Sequence, residues 1–254
     1  MSLERIPLIA GNWKMNGLRA DGIALAKAVV DRVAAAGSPP CEILMCPPAT
    51  LLTEVGRVLA GSGIALGGQD CHAADRGAHT GEISALMLAD AGCRYVILGH
   101  SERRAGHGEG DSLVASKVVA ADRAGLTAIV CVGETEAERG AGDALAVVGA
   151  QLEGSLPADP TARNVVIAYE HVWAIGSGRT PSPDQVRQVH GHIRGRLTVA
   201  LGRTEAARTR ILYGGSVKPA GAAALLALGD VDGALVGGAS LDAEDFWAIA
   251  RSCR

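Results

Sequence analysis

The sequence predicts an α/β fold, a single (β/α)8 barrel spanning residues 1–254. Three observations carry that expectation. Short, fully apolar runs alternate with longer stretches of helical apolar spacing, the mark of a parallel sheet covered by helices. About eight such units fit in 254 residues, the size of a closed barrel of this type. Polar and charged residues gather at the C-terminal ends of the apolar runs, where both parallel architectures place their chemistry. A doubly wound open sheet shares the first and third features and is the competing architecture.

The strand candidates run in order. "PLIAGNW" opens the series and ends on Asn12 and Lys14. "CEILMCP" and "IALGGQD" follow, the latter ending on Gln69 and Asp70. "RYVILGH" ends on His100, "TAIVCVGE" on Glu134 and "VVIAYE" on Glu170. "RILYGGS" reaches Ser216, and "GALVGGAS" closes the set. Between them, stretches such as "ADGIALAKAVVDRVAAAG" and "DSLVASKVVAADRAG" place apolar residues three and four apart. No Pro/Ser-rich linker divides the chain, and the units repeat in architecture but not in sequence.

Composition narrows the functional classes. Apolar residues make up 48% of the chain, enough for a large core, and the net charge of −3 comes without runs of like charge, which argues against a nucleic-acid surface. Six cysteines form no CxxC pair and lie in apolar surroundings, as in "AIVCVG", so they read as small buried residues of a reducing compartment. Glu4 and Arg5 interrupt any signal-like apolar start, and no apolar run approaches the ~20 residues that span a bilayer. A cytoplasmic protein is the expectation.

Individual residues then suggest a site. Glu170 stands where an apolar strand leaves the core. It is either an ordinary ion-pair partner or a general base in a dry pocket, where burial favours its neutral form and strengthens it as a base. The loop that follows carries Trp173, Ile175, Gly176 and Gly178 and runs to about Thr180, longer than the usual 2–6 residues of such connections; it reads as a lid. "YGGSV" and "LVGGAS" place glycine pairs after the seventh and eighth runs, where backbone amides and helix starts attract an anion. Lys14 adds positive charge beyond the first strand. A helix starting at Ser101 would turn its positive end towards His100 and keep the ring neutral, a hydrogen-bond donor. "DCH" with His79 lacks the spacing and the fourth ligand of a metal centre. "GHGEG" follows neither the strand nor the spacing of a dinucleotide loop.

Taken together, "AGNWKMN", "LGHSERR", "IVCVGE", "AYEHVWAIGSG", "YGGS" and "DGALVGGASL" resemble the triosephosphate isomerase family, in order and along essentially the whole chain. The resemblance implies a TIM barrel that interconverts dihydroxyacetone phosphate and glyceraldehyde 3-phosphate without metal or organic cofactor. It implies Glu170 as the base, neutral His100 as the group that polarises the carbonyl, and Lys14 and Asn12 as stabilisers of the enediolate. Glu102 would support the site, and Gly176, Ser216, Gly237 and Gly238 would hold the phosphate. Trp173 and Glu134 would belong to the lid's contacts, and Leu235 would help cap the base. A homodimer through residues 68–82 is implied as well, with Thr80 at the loop tip steadying the partner's Asn12–Lys14 region.

Three positions depart from the family pattern. His171 stands where proline is usual, and gives a softer hinge and a group able to titrate near neutral pH beside the base. His79 replaces a usual aromatic, and Pro181 removes an N–H at the lid's far hinge. Two rival functions stay in view. One is an isomerase of a larger phosphorylated sugar, which "AIGSG" with "LVGG" argues against. The other is a sugar-phosphate-binding protein without catalysis, which would have no need of Lys14, His100 and Glu170 together.

Overall fold

A computed structural model of the chain describes residues 5–37, 39–157, 164–174 and 181–253. Eight parallel strands close on themselves in sequence order: β1 (Leu8–Asn12), β2 (Glu42–Cys46), β3 (Ala65–Gly68), β4 (Tyr95–Leu98), β5 (Thr127–Val132), β6 (Val165–Tyr169), β7 (Ile211–Tyr213) and β8 (Gly233–Val236). Closure is made by β1 against β8, with Leu8 opposite Gly233 and Gly11 opposite Val236. The open doubly wound alternative is thereby excluded. Each observed strand is shorter than the run that predicted it, since most of the polar residues at the run ends lie just past the strand, with Asn12 as the exception inside β1.

Alternation along the strands sorts the core into two layers. Leu8, Ala10, Leu44, Ile97, Ile129, Val166, Ala168 and Leu212 form one cluster, which fills the barrel. Ile9, Ile43, Val96, Val130, Ile167, Tyr169 and Tyr213 belong to the other, packed beneath the helices. A strand buried on both faces needs apolar residues at every position, which is why the runs showed no alternation.

The outer layer contains ten α-helices among the described residues: α1 (Arg19–Ala36), α2 (Leu52–Leu59), α3 (Ala85–Asp90), α4 (Ser101–His107), α5 (Asp111–Arg123), α6 (Glu136–Ala141), α7 (Ala144–Ser155), α8 (Pro183–Arg208), α9 (Pro219–Leu226) and α10 (Ala243–Ala250). Their starts follow local chemistry. Thr135 and Glu138 cap α6 reciprocally, and Ser182 with Gln185 does the same for α8, whose first residue is Pro183. Helix α8 breaks at Gly202, where φ is 76°. Helix α10 packs on α1, so the end of the chain returns to its beginning. No helix among the described residues is long and apolar enough to cross a membrane.

Candidate active site

The C-terminal ends of the strands surround a cavity of about 640 Å3, lined by Asn12, Lys14, His100, Glu170, Gly214, Gly215, Ser216, Leu235, Gly237 and Gly238 among others. Every described residue that the sequence assigned to catalysis or phosphate binding lines it except Glu102, which reaches it through Lys14. Gly176, Ile175, Gly178 and Thr180 lie outside the described residues.

Glu170 follows β6 directly and is buried. Its amide donates to the Val132 carbonyl at 2.8 Å, which continues the ladder one step past the strand. Three donors hold the carboxylate: the Ser101 amide at 2.8 Å and hydroxyl at 3.1 Å, and His100 Nε2 at 2.9 Å. The neighbouring β5 end leaves no room for a side chain, since a Cβ on Gly133 would stand 2.1 Å from the Glu170 carbonyl oxygen. Sequence reading passed over Gly133; its only signal is its place beside Glu134 in "CVGE".

His100 caps α4. Its Nδ1 accepts the Glu102 amide at 3.2 Å, so the proton of the neutral ring sits on Nε2, the nitrogen that faces Glu170. The helix start expected at Ser101 is the one observed. It does two things at once: its first amide grips Glu170 and its second fixes the tautomer of His100. Ser101 was noted in the sequence only as a helix start, and its hold on the carboxylate is visible only in three dimensions.

Lys14 takes a left-handed backbone conformation, φ 53°, which is sparsely populated for residues other than glycine and costs about 1 kcal/mol or more. Two bonds hold it there. Its amide donates to Asn12 Oδ1 at 3.1 Å, and Gln69 Nε2 donates to its carbonyl at 2.9 Å and to the Cys46 carbonyl at 2.8 Å. The ammonium forms an ion pair with Glu102, and its chain passes against Gly237. Gln69 thus locks the turn that aims Lys14; its position at a strand end was the available signal.

The glycine pairs open the other wall. A Cβ on Gly214 would lie 3.1 Å from Glu170 Cγ, so glycine keeps space for the Glu170 side chain. Gly237 caps a single 3-10 turn, Gly238–Leu241, and around Gly238 the space is open. Ser216 stands between Gly215 and the start of α9 at Pro219. Such a wall of backbone amides, a hydroxyl and a lysine suits an oxyanion ligand.

Behind Glu170, on the outer side of the barrel, Glu134 is fully buried. It accepts from Tyr169 Oη at 2.9 Å, Arg139 Nε at 2.7 Å and Trp173 Nε1 at 3.1 Å. The Arg139 guanidinium also lies 5.5 Å from the Trp173 ring centre. This network anchors the first residues after Glu170 to β5 and α6.

His171 corrects one expectation. It is fully buried rather than poised near neutral pH. Burial first, and then the Arg139 and His190 charges, push its pKa down to about 3. The ring is neutral throughout the physiological range and cannot shape a pH profile near 7. The two decoys have structural duties instead. Asp70 pairs with Lys117 at 2.8 Å and with Arg103 at 3.0 Å, and His72 stacks on His79 at 4.0 Å. Within "GHGEG", Gly108 ends α4, Gly110 starts α5, and Glu109 pairs with Lys117 at 2.7 Å.

Comparison with known proteins agrees with this geometry. The family model described as triosephosphate isomerase matches residues 7–253. Triosephosphate isomerase of Xanthobacter flavus is 59% identical over 253 residues, covering 99% of each chain. That of Dinoroseobacter shibae is 57% identical over 245 residues, covering 96% of this chain and 98% of its own. The crystal structure of triosephosphate isomerase from Bartonella henselae superposes with a TM-score of 0.89 at 47% identity, over 97% of this chain and 98% of the other. With the barrel, the cavity and near-complete coverage in agreement, this chain belongs to the triosephosphate isomerase family.

Proposed function

We propose that this protein interconverts dihydroxyacetone phosphate and D-glyceraldehyde 3-phosphate, with Glu170 as the base. The observation that carries the reading is the convergence of a buried carboxylate, a neutral N–H donor and a lysine on one cavity whose opposite wall is built for an anion. In the resting arrangement the carboxylate is occupied by Ser101 and His100. To react, it exchanges those donors for the proton on the substrate carbon beside the carbonyl. His100 Nε2–H then serves the carbonyl oxygen and passes a proton between the two substrate oxygens. Lys14 and Asn12 stabilise the enediolate, and Glu102 holds the ammonium in reach. Ser216, Gly237 and Gly238 receive the phosphate, together with Gly176. A positioned base supplies about 10²–10⁴-fold and a preorganised donor about 10²–10³-fold. Enclosure of the phosphate end provides binding energy for ordering the site.

Conversion of glyceraldehyde 3-phosphate to the ketone, followed by coupled reduction of the product, tests this directly. Full-rate turnover is expected; absence of turnover with intact phosphate-inhibitor binding would leave the non-catalytic binder as the correct reading. The larger-sugar alternative predicts turnover only with longer phosphorylated aldoses.

The chain acts as one domain in this reading, because its strands close on themselves and its last helix packs on its first. Six free, buried cysteines favour the cytoplasm as its compartment. A homodimer through residues 68–82 completes the proposal. Residues 75–82 are exposed, and exposed Met15, Leu86 and Met87 lie next to the loop's two ends, with Gln69 bonded to the Lys14 carbonyl. Sedimentation at micromolar concentration should give twice the chain mass; a fully active monomer refutes the assembly.

A further inference from the structure

His171 presents a problem that the chemistry above does not use. Its ring is fully buried, yet neither Nδ1 nor Nε2 has a hydrogen-bond partner among the described residues. A neutral imidazole always carries one donor and one acceptor, and folded proteins rarely leave both unmet in the interior. Three aromatic rings enclose it. Tyr169, at 4.3 Å, already bonds Glu134 and Arg139, and Trp173, at 5.7 Å, already bonds Glu134. Tyr213 is different. Its ring lies 5.3 Å away at 40°, and its hydroxyl makes no hydrogen bond among the described residues.

The two groups are therefore complementary, adjacent and unbonded. They also sit at the end of the strand that carries Glu170 and at the end of its neighbour β7. His171 is one residue past Glu170, and Tyr213 ends β7 in register with Tyr169. The Tyr213 hydroxyl rests tightly against Gly215, where a Cβ would come within 2.3 Å, so glycine at 215 is what admits the hydroxyl there. Meanwhile the Glu170 carboxylate is docked on Ser101 and His100. A turn of the backbone at 170–171 that frees the carboxylate necessarily carries the His171 ring with it.

We infer that His171 is a positioning residue for Glu170: when the carboxylate leaves Ser101, the His171 ring turns onto the Tyr213 hydroxyl, and that hydrogen bond holds the base in its reactive position. The unmet groups of the resting protein are the two halves of a bond made in the working one. The inference rests on Glu170 being the base. That reading is tested separately by wild-type turnover and its loss in Glu170→Gln, whereas the experiment below reads only the coupling between two other residues.

The experiment is a double-mutant cycle on kcat with His171→Phe, Tyr213→Phe and the double variant, each with its thermal midpoint. A neutral hydrogen bond present only in the reactive state is worth about fivefold in kcat, with little change in KM. Each single variant should lose about fivefold and the double variant about fivefold rather than about 25-fold. The thermal midpoint of His171→Phe at pH 7 should not fall below wild type, because the resting protein has no bond to lose. Singles at wild-type kcat, multiplicative losses, or a loss of kcat that tracks a falling midpoint each overturn the inference. Should His171→Phe fail to fold, His171→Gln and His171→Leu decide. Glutamine keeps a donor and should retain kcat within about twofold while leucine loses about fivefold; equal losses overturn it.

Discussion

At the N-terminal end of the strands, Asp232 is gripped by Arg5 at 2.7 Å, by Arg194 at 2.8 Å and by the Ile211 amide at 2.9 Å. At the opposite end, Glu170 is equally buried and also has three donors, but they are an amide, a hydroxyl and a neutral imidazole. Among the described residues no lysine or arginine reaches it. The lower end repeats its pattern at Glu42, which accepts from Arg210 at 2.8 Å and from Tyr95 at 2.8 Å, while Arg210 also donates to Tyr95 at 2.9 Å. At the upper end the Lys14 ammonium is paired with a single exposed carboxylate, that of Glu102. Buried charge matched by several cations stays where it is. Buried charge held by neutral donors can be exchanged for substrate at modest cost, which is what a base requires.

The sharpest test of this contrast removes one carboxylate from each end. Glu170→Gln should lower kcat about 10²–10⁴-fold while leaving the thermal midpoint unchanged or raised, since a charge without a cation has been neutralised. Steady-state kinetics and a melting curve read both. A variant that melts much earlier would erase the proposed difference between the two ends.

Asp232→Ala should do the reverse. It strands the Ile211 amide and deprives both Arg5 and Arg194 of their better-buried carboxylate, leaving them Asp230, so stability should fall by about 3 kcal/mol in urea titration, with kcat of the folded protein unaltered. If turnover fell as far as stability, the lower end would have to be counted as part of the working site.

A smaller effect separates the layer behind Glu170 from both ends. The pKa of His171 is pushed down to about 3 and that of His190 to about 4, in each case chiefly by burial, from an unfolded value of 6.5. As pH falls through 6.5 the unfolded chain takes up protons that the folded chain refuses, so stability declines towards acid. Each histidine should contribute a loss of about 2 kcal/mol between pH 7 and pH 5. His171→Phe should therefore remove roughly half of that decline. Urea midpoints at the two pH values measure it; identical declines in wild type and variant would mean that His171 is protonated in the folded protein.

The sequence by itself determined a parallel α/β fold and the rim on which most of the site lies, while closure into a barrel was decided by the tertiary structure. Unbroken apolar runs such as "VVIAY" can belong only to strands covered on both faces, and their count matches a closed ring. The phase of the polar residues at their ends located Asn12, Lys14, His100, Glu170 and Ser216, because strand direction in a parallel barrel brings all such ends to one rim. Tertiary structure alone decided how those groups are held. Ser101 on Glu170 joins residues 69 positions apart, and Gln69 on the Lys14 carbonyl joins residues 55 apart, so no local pattern reports either. Gly133 matters because the Glu170 backbone crosses where its side chain would be. His171 shows the limit most clearly. Its place after Glu170 suggested a softer hinge able to titrate near neutral pH, but burial is a property of what packs around a residue. Tyr169 and Trp173 flank it in the chain, but Tyr213 reaches it from the next strand, and the burial they create together keeps it neutral.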